Sequence, residues 1–127
     1  MLRARQLLLL LGLVPLASCD GGLRVNRQGN PCLEDLVTLR VEVVDAQGKV
    51  VEDATVTATH VDSGRTITGI TNERGVTTAV NEDIGAGRVR VSATAGSKVT
   101  APTEVAWTCD ECHCSPEPST VRLQLNP

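Results

Sequence analysis

Six consecutive residues, Cys109-Asp110-Glu111-Cys112-His113-Cys114, hold most of the side chains in this chain that could do chemistry. Written as C-x-x-C-H, Cys109, Cys112 and His113 have the spacing for covalent attachment of c-type haem, with the imidazole as axial ligand to iron. Haem needs a broad apolar pocket and a second axial ligand, and His60 is the candidate because the sole methionine is Met1. The same cluster with Cys32 could bind zinc, since four thiolates, or three and His113, satisfy tetrahedral coordination. C-x-x-C-x-C is too compressed for three sulfurs to reach one ion easily. A redox-active C-x-x-C belongs at a helix start within a βαβ unit, and no helical pattern is present. Two disulfides among Cys32, Cys109, Cys112 and Cys114 use every one of these thiols in an oxidising compartment. The expectation is therefore disulfides, with no metal and no cofactor, and spacing alone leaves the pairing open.

Other candidates are weaker. His60 falls on an expected strand beside threonines, where a half-exposed sheet residue is the ordinary meaning and no nucleophile can be tied to it. The acidic pairs Glu52-Asp53, Glu82-Asp83 and Asp110-Glu111 fall in expected turns, read as solvated, and their spacing is not diagnostic of calcium. Trp107 is the only aromatic residue. It is expected to plug the core beside the cysteines, the alternative being an exposed contact on a sugar-binding surface. No catalytic centre emerges.

The elements that must position these residues are short strands. Residues 37–43, Val-Thr-Leu-Arg-Val-Glu-Val, alternate apolar and polar as a half-buried strand should. Residues 54–60 alternate again with Val56 and Ala58 inward, and residues 66–71 follow with Ile67 inward. Further strands are expected over 76–80, over 88–95 with Val89, Val91 and Ala93 inward, over 99–107, and over 120–125 with Val121, Leu123 and Leu125 aligned. Pro102 marks an edge or bulge in the sixth. Turn signals at Asp45-Ala46-Gln47-Gly48, Asp62-Ser63-Gly64 and Asn72-Glu73-Arg74-Gly75 separate them. Seven short strands at regular spacing argue for an all-β antiparallel sandwich.

The N-terminal stretch reads differently. Arg3 and Arg5 precede an apolar run over residues 7–17 that is too short to span a bilayer as a helix. It ends in Leu16-Ala17-Ser18-Cys19, which resembles the lipobox of bacterial lipoproteins. That resemblance implies a diacylglyceryl group on Cys19, removal of residues 1–18, and acylation of the new amino group. Two or three acyl chains anchor stably where one does not. Asp20 after the lipidated cysteine resembles an inner-membrane retention signal of enteric bacteria. Residues 20–31 carry three glycines and no apolar periodicity, and they read as a tether reaching about 40 Å when extended. The five cysteines fit this reading, because giving Cys19 to lipid leaves an even set. Without residues 1–18 the Lys and Arg number 10 against 15 Asp and Glu, a net charge of −5, which argues against a nucleic-acid partner.

A second resemblance covers residues 37–125. Gln47-Gly48-Lys49-Val50-Val51-Glu52-Asp53-Ala54-Thr55-Val56 resembles the "G-x-x-V-x-x-A-x-V" opening of carboxypeptidase regulatory-like domains. Thr71-Asn72-Glu73-Arg74-Gly75-Val76 resembles their "T-[DN]-x-x-G" turn, and Arg88-Val89-Arg90-Val91-Ser92-Ala93 their "Y-x-V-x-A" strand. Val76 and Arg88 stand where that family favours aromatics, and with no Phe or Tyr the core must be aliphatic and thin. The resemblance implies a seven-stranded, transthyretin-like Greek-key sandwich whose first and last strands are parallel neighbours. The family's hydrolase branch needs several His and Arg and a distinctive C-terminal tetrapeptide, whereas this sequence ends Leu125-Asn126-Pro127. An isopeptide branch needs a lysine in the first strand, and Lys49 and Lys98 fall in or near turns. Parallel neighbours would bring Cys32 and Cys114 to one end of the sheet. The resemblance therefore favours Cys32–Cys114 with Cys109–Cys112, the alternative being Cys32–Cys112 with Cys109–Cys114.

The expected organisation is a signal peptide over 1–18, lipidated Cys19 with a linker over 19–31, and a sandwich over 32–127. The expected function is a non-enzymatic binding or structural module, lipid-anchored to a membrane of the bacterial cell envelope and facing the periplasm or exterior. An envelope protein or a polysaccharide would be its partner. The competing expectation is an electron-transfer protein carrying haem on Cys109, Cys112 and His113.

Overall fold

Alternating valines and threonines demand a surface that is apolar on one side and wet on the other, and the chain builds two such surfaces. The structure, a computed structural model, describes Cys32 and residues 35–127. Residues 1–31, with the signal segment, Cys19 and the tether, lie outside the described residues, as do 33 and 34. The described strands are β1 (Arg40–Val44), β2 (Thr55–His60), β3 (Thr66–Ile70), β4 (Val76–Thr77), β5 (Gly87–Ala95), β6 (Lys98–Val99), β7 (Thr103–Cys109), β8 (Cys114–Glu117) and β9 (Thr120–Gln124). A 3-10 turn, Glu82–Ile84, separates β4 from β5.

The small sheet runs β9-β1-β4 and the large one β3-β2-β5-β7-β8, with β6 folded back on the end of β5. β9 lies parallel to β1, Thr120 opposite Arg40 and Gln124 opposite Val44, so the first and last strands are neighbours as expected. Every other strand pair is antiparallel. The molecule is an all-β sandwich. Its core takes Leu39, Val41, Val43, Val121, Leu123 and Leu125 from the small sheet and its continuations, and faces them with Val56, Ala58, Val89, Val91, Val105 and Trp107 from the large one. Burying each of the larger aliphatic side chains stabilises the fold by roughly 1.5–3 kcal/mol. Trp107 is 2% exposed, which settles its place as core. Its indole Nε1 has no hydrogen-bond partner among the described residues, so packing alone fixes the ring.

Two expected strands are shortened or split, and one strand arises that was not expected. The strand over 76–80 narrows to Val76–Thr77, because the Thr77 Oγ1 accepts the Ala79 N–H and interrupts the ladder. Pairing resumes where the Leu39 N–H donates to the Val80 carbonyl. The strand over 99–107 is split between β6 and β7 by Thr100-Ala101-Pro102, as a proline without a donor dictates. β8 was not foreseen: Cys114-Ser115-Pro116-Glu117 shows no alternation of apolar residues, yet it pairs with β7.

The turn at Asn72 is set by backbone demands. Asn72 Oδ1 accepts the N–H groups of Arg74 and Val76, and Gly75 sits at φ +75° with its Cα against Val43 O and Val50. A Cβ there would lie 2.9 Å from Val43 O. Gly75→Val is therefore expected to lower stability in a urea melt by more than about 1 kcal/mol, with the slope unchanged. A midpoint equal to the parent's would contradict this account of the turn.

Candidate functional site

The cysteine motif folds as a hairpin. Antiparallel pairing of β7 with β8 sets Cys109 directly opposite Cys114, and these two are disulfide-bonded. Cys32 and Cys112 form the second disulfide. The pairing favoured from strand adjacency, Cys32–Cys114 with Cys109–Cys112, is thus corrected. That expectation placed Cys114 in a loop before the last strand, whereas Cys114 opens a strand of its own and faces Cys109.

Asp110 shapes the turn between them. Its Oδ1 accepts the N–H groups of Cys112 and His113, both at 2.8 Å, while its own N–H donates to the His113 carbonyl. The hydrogen bonds from His113 and then Cys112 hold the Asp110 carboxyl below the usual carboxylate range.

Beneath the hairpin lies Glu82, where sequence reasoning expected a solvated turn. Its side chain is 8% exposed. Asn81 caps the 3-10 turn by accepting the Asp83 N–H, and the buried Val80 and Ile84 on either side press this turn against the body. Glu82 Oε2 accepts the Val37 N–H at 2.7 Å, and Oε1 accepts the Cys114 N–H at 2.9 Å. The His113 Nδ1 lies 2.9 Å from Oε2 and 3.2 Å from Oε1, so the imidazole donates to the carboxylate. One carboxylate thereby joins the segment before β1, the hairpin and the 3-10 turn. The Val37 bond, then Cys114 and His113, hold its carboxyl below the usual range. The available signal was the pair of apolar residues flanking Asn81-Glu82-Asp83, which argues against a turn facing water.

His60 is also corrected, from half-exposed to buried, at 7% exposure. Its Nδ1 accepts the Ser63 N–H at 3.1 Å, and its Nε2 lies 2.6 Å from the Ala86 carbonyl. An N–H can only donate and a carbonyl can only accept, so the tautomer with the proton on Nε2 is fixed. Both ring nitrogens are used structurally. Gly87 makes room, since a Cβ there would meet His60 Nε2 at 2.8 Å. His60 and His113 are thus each bound into local contacts rather than brought together at one site.

Chemically the arrangement is a clamp. With Cys109 and Cys112 oxidised, neither thiol is available for a thioether bond to haem. Among the described residues no group of three or more His, Cys, Asp or Glu is placed to hold a metal ion. Comparison with family models and with curated proteins finds no match for the chain.

Two outcomes are expected. Alkylation of the folded, non-reduced protein should leave Cys32, Cys109, Cys112 and Cys114 unmodified, and Cys32→Ser should expose one thiol, at Cys112. Opening a loop of about 80 residues should also cost about 2–5 kcal/mol. A Cys32 that alkylates in the native protein would contradict the pairing. The second outcome concerns acid. Carboxyls with lowered pKa stabilise the fold above their unfolded pKa, and this is lost as pH falls through the folded value. Glu82, Asp110 and Asp45 all shift downward, so stability should fall as pH drops below about 4. Glu82→Gln, whose amide turns a donor toward donors, should destabilise the protein at neutral pH and flatten that acid slope. An unchanged slope in a series of melts would remove Glu82 from this role.

Proposed function

We propose that this chain is an exported bacterial lipoprotein, acylated on Cys19 after removal of residues 1–18. Its sandwich is of the carboxypeptidase regulatory-like, transthyretin-like Greek-key type and serves as a non-catalytic binding or structural module in the cell envelope. In this reading β6 and β7 count as one strand of seven, and β8 is an added edge strand. The observation that carries the proposal is the state of the cysteines: Cys32, Cys109, Cys112 and Cys114 are consumed in two disulfides. Disulfides suit an exported domain, and the fifth cysteine, Cys19, is then left for lipid. The parallel pairing of β1 with β9 supports the family reading. The use of His60, His113, Cys32, Cys109, Cys112 and Cys114 in structural contacts supports a role without catalysis.

The partner is an envelope protein rather than a polysaccharide. Trp107 is in the core and the sequence holds no Phe or Tyr, so no aromatic platform for sugar stacking is offered by the described surface. The test is fractionation. Cys19→Ser should yield an unprocessed, unacylated precursor that no longer partitions into detergent, with loss of nearly all membrane-bound protein. An unchanged membrane fraction would end the lipoprotein reading. Cross-linking in intact cells, with mass spectrometry of what is attached, tests the binding role separately.

A further inference from the structure

The sandwich leaves one strand edge open. In β9 the Ser119 carbonyl accepts the Arg40 N–H, and the Leu125 N–H donates to the Val44 carbonyl. In a parallel ladder the odd-numbered residues of β9 therefore bond to β1. The backbone N–H and C=O groups of Thr120 and Arg122 point away from it, and β9 is the end strand of its sheet. Its outer side is closed at the far end, where Leu125 bridges Thr100 and the Asn126 N–H donates to the Val99 carbonyl. The other edges are obstructed. A Cβ on Gly69 of β3 would lie 2.5 Å from the Ala79 Cβ, so residues 77–79 lie against that strand and follow directly on β4. At β8, the Cys114 N–H is taken by Glu82.

The surroundings of β9 indicate what fits there. Arg122 is 62% exposed and only loosely paired, 3.5 Å from Glu42, and Arg40 stands beside Thr120 on the next strand. Lys49 and Lys98 both act on Asp45 at the end of β1. Four cations against Glu42 and Asp45 make this edge locally basic in a chain whose net charge is −3. An open groove of about 410 Å³, lined in part by Val99, Ala101, Leu125 and Pro127, continues the edge. Val99 is 47% exposed there. A second copy of β9, paired antiparallel along its full length, would set Arg122 against Arg122, and like charges directly opposite are destabilising.

We propose that β9 is a docking edge that accepts an extended, acidic segment of a partner protein as an added strand. Main-chain hydrogen bonds to Thr120 and Arg122 would supply affinity, and Arg122 with its neighbouring cations would select the charge. The inference deepens the binding-module reading by naming the partner's chemistry and the strand that receives it.

The test uses the purified full-length protein and a blocked peptide of alternating valine and glutamate. The amides of Thr120 and Arg122 should exchange rapidly in the free protein and be slowed by the peptide. Those of Val121 and Leu123, bonded to β1, should be slow throughout. A valine-lysine peptide, or the glutamate peptide N-methylated at every second residue, should bind at least about tenfold more weakly. Arg122→Pro removes one outward donor at an edge, where proline is tolerated, and should abolish binding. Arg122→Gln keeps that donor and should narrow the preference for glutamate, which preserves the test if the proline variant does not fold. Unchanged exchange at the Thr120 and Arg122 amides, equal binding of the lysine peptide, or a dimer sealed through β9 would each overturn the proposal. Failure here leaves the binding module itself standing if in-cell cross-links form at other surfaces, and an absence of cross-links anywhere would end that reading.

Discussion

A core with no Phe or Tyr has to hold two sheets together with short side chains. Val, Ala and Leu fill it, and Trp107 is the single large plug. Small domains bury a smaller share of their surface than large ones, and a core of valines and alanines buries less per residue still. Much of the burden passes to constraints that are not hydrophobic. The parallel ladder between β1 and β9 ties the two ends of the domain into one sheet. The two disulfides limit the unfolded chain instead of enlarging the core.

The polar contacts are placed where the hydrophobic ones run out. Glu82 is nearly buried, yet it is supplied with two backbone N–H groups and an imidazole, so the desolvation that would neutralise an isolated carboxylate is offset. One donor comes from the segment before β1, and the other two come from the hairpin, at the disulfide residue Cys114 and its neighbour His113. The hairpin is consequently held twice: covalently across its strands, and electrostatically from below.

Much of the fold was legible because it rests on period-2 alternation. Val41, Val43, Val56, Ala58, Val89, Val91, Val121 and Leu123 all lie in the core that the pattern assigned to them. Gly48 and Gly75 adopt positive φ in turns marked by their asparagine and aspartate neighbours. What escaped was set by register. Nothing local in Cys114-Ser115-Pro116-Glu117 announces a strand, and only its pairing with β7 puts Cys114 opposite Cys109 and so decides the disulfides. Glu82 escaped for the same reason, since its three donors lie 31 to 45 residues away. His60 looked like an ordinary sheet residue until Gly87 and Ala86, from another strand and the turn before it, closed around its ring.

The directions of the strands give the domain two unlike ends. At one, the Val37–Glu82 contact, the 3-10 turn and the cysteine hairpin lock the chain as it enters β1. At the other lie the Asp45 turn after β1, the Gly75 turn against Val43, and the β5–β6 turn, where the Asn126 N–H donates to the Val99 carbonyl. Cross-links gathered at the entry end leave the opposite loops and the β9 edge free of covalent constraint. A parallel pair made of the first and last strands also requires one of them to lie at a sheet edge unless a further strand covers it. β4 covers β1, so the edge falls to β9. The same topology that closes the fold thus leaves β9 with an outward-facing backbone at Thr120 and Arg122, up to the point where Leu125 bridges Thr100. A monomeric sandwich protects such an edge with charge, and Arg122 at its centre does so while favouring an acidic strand over a second copy of itself.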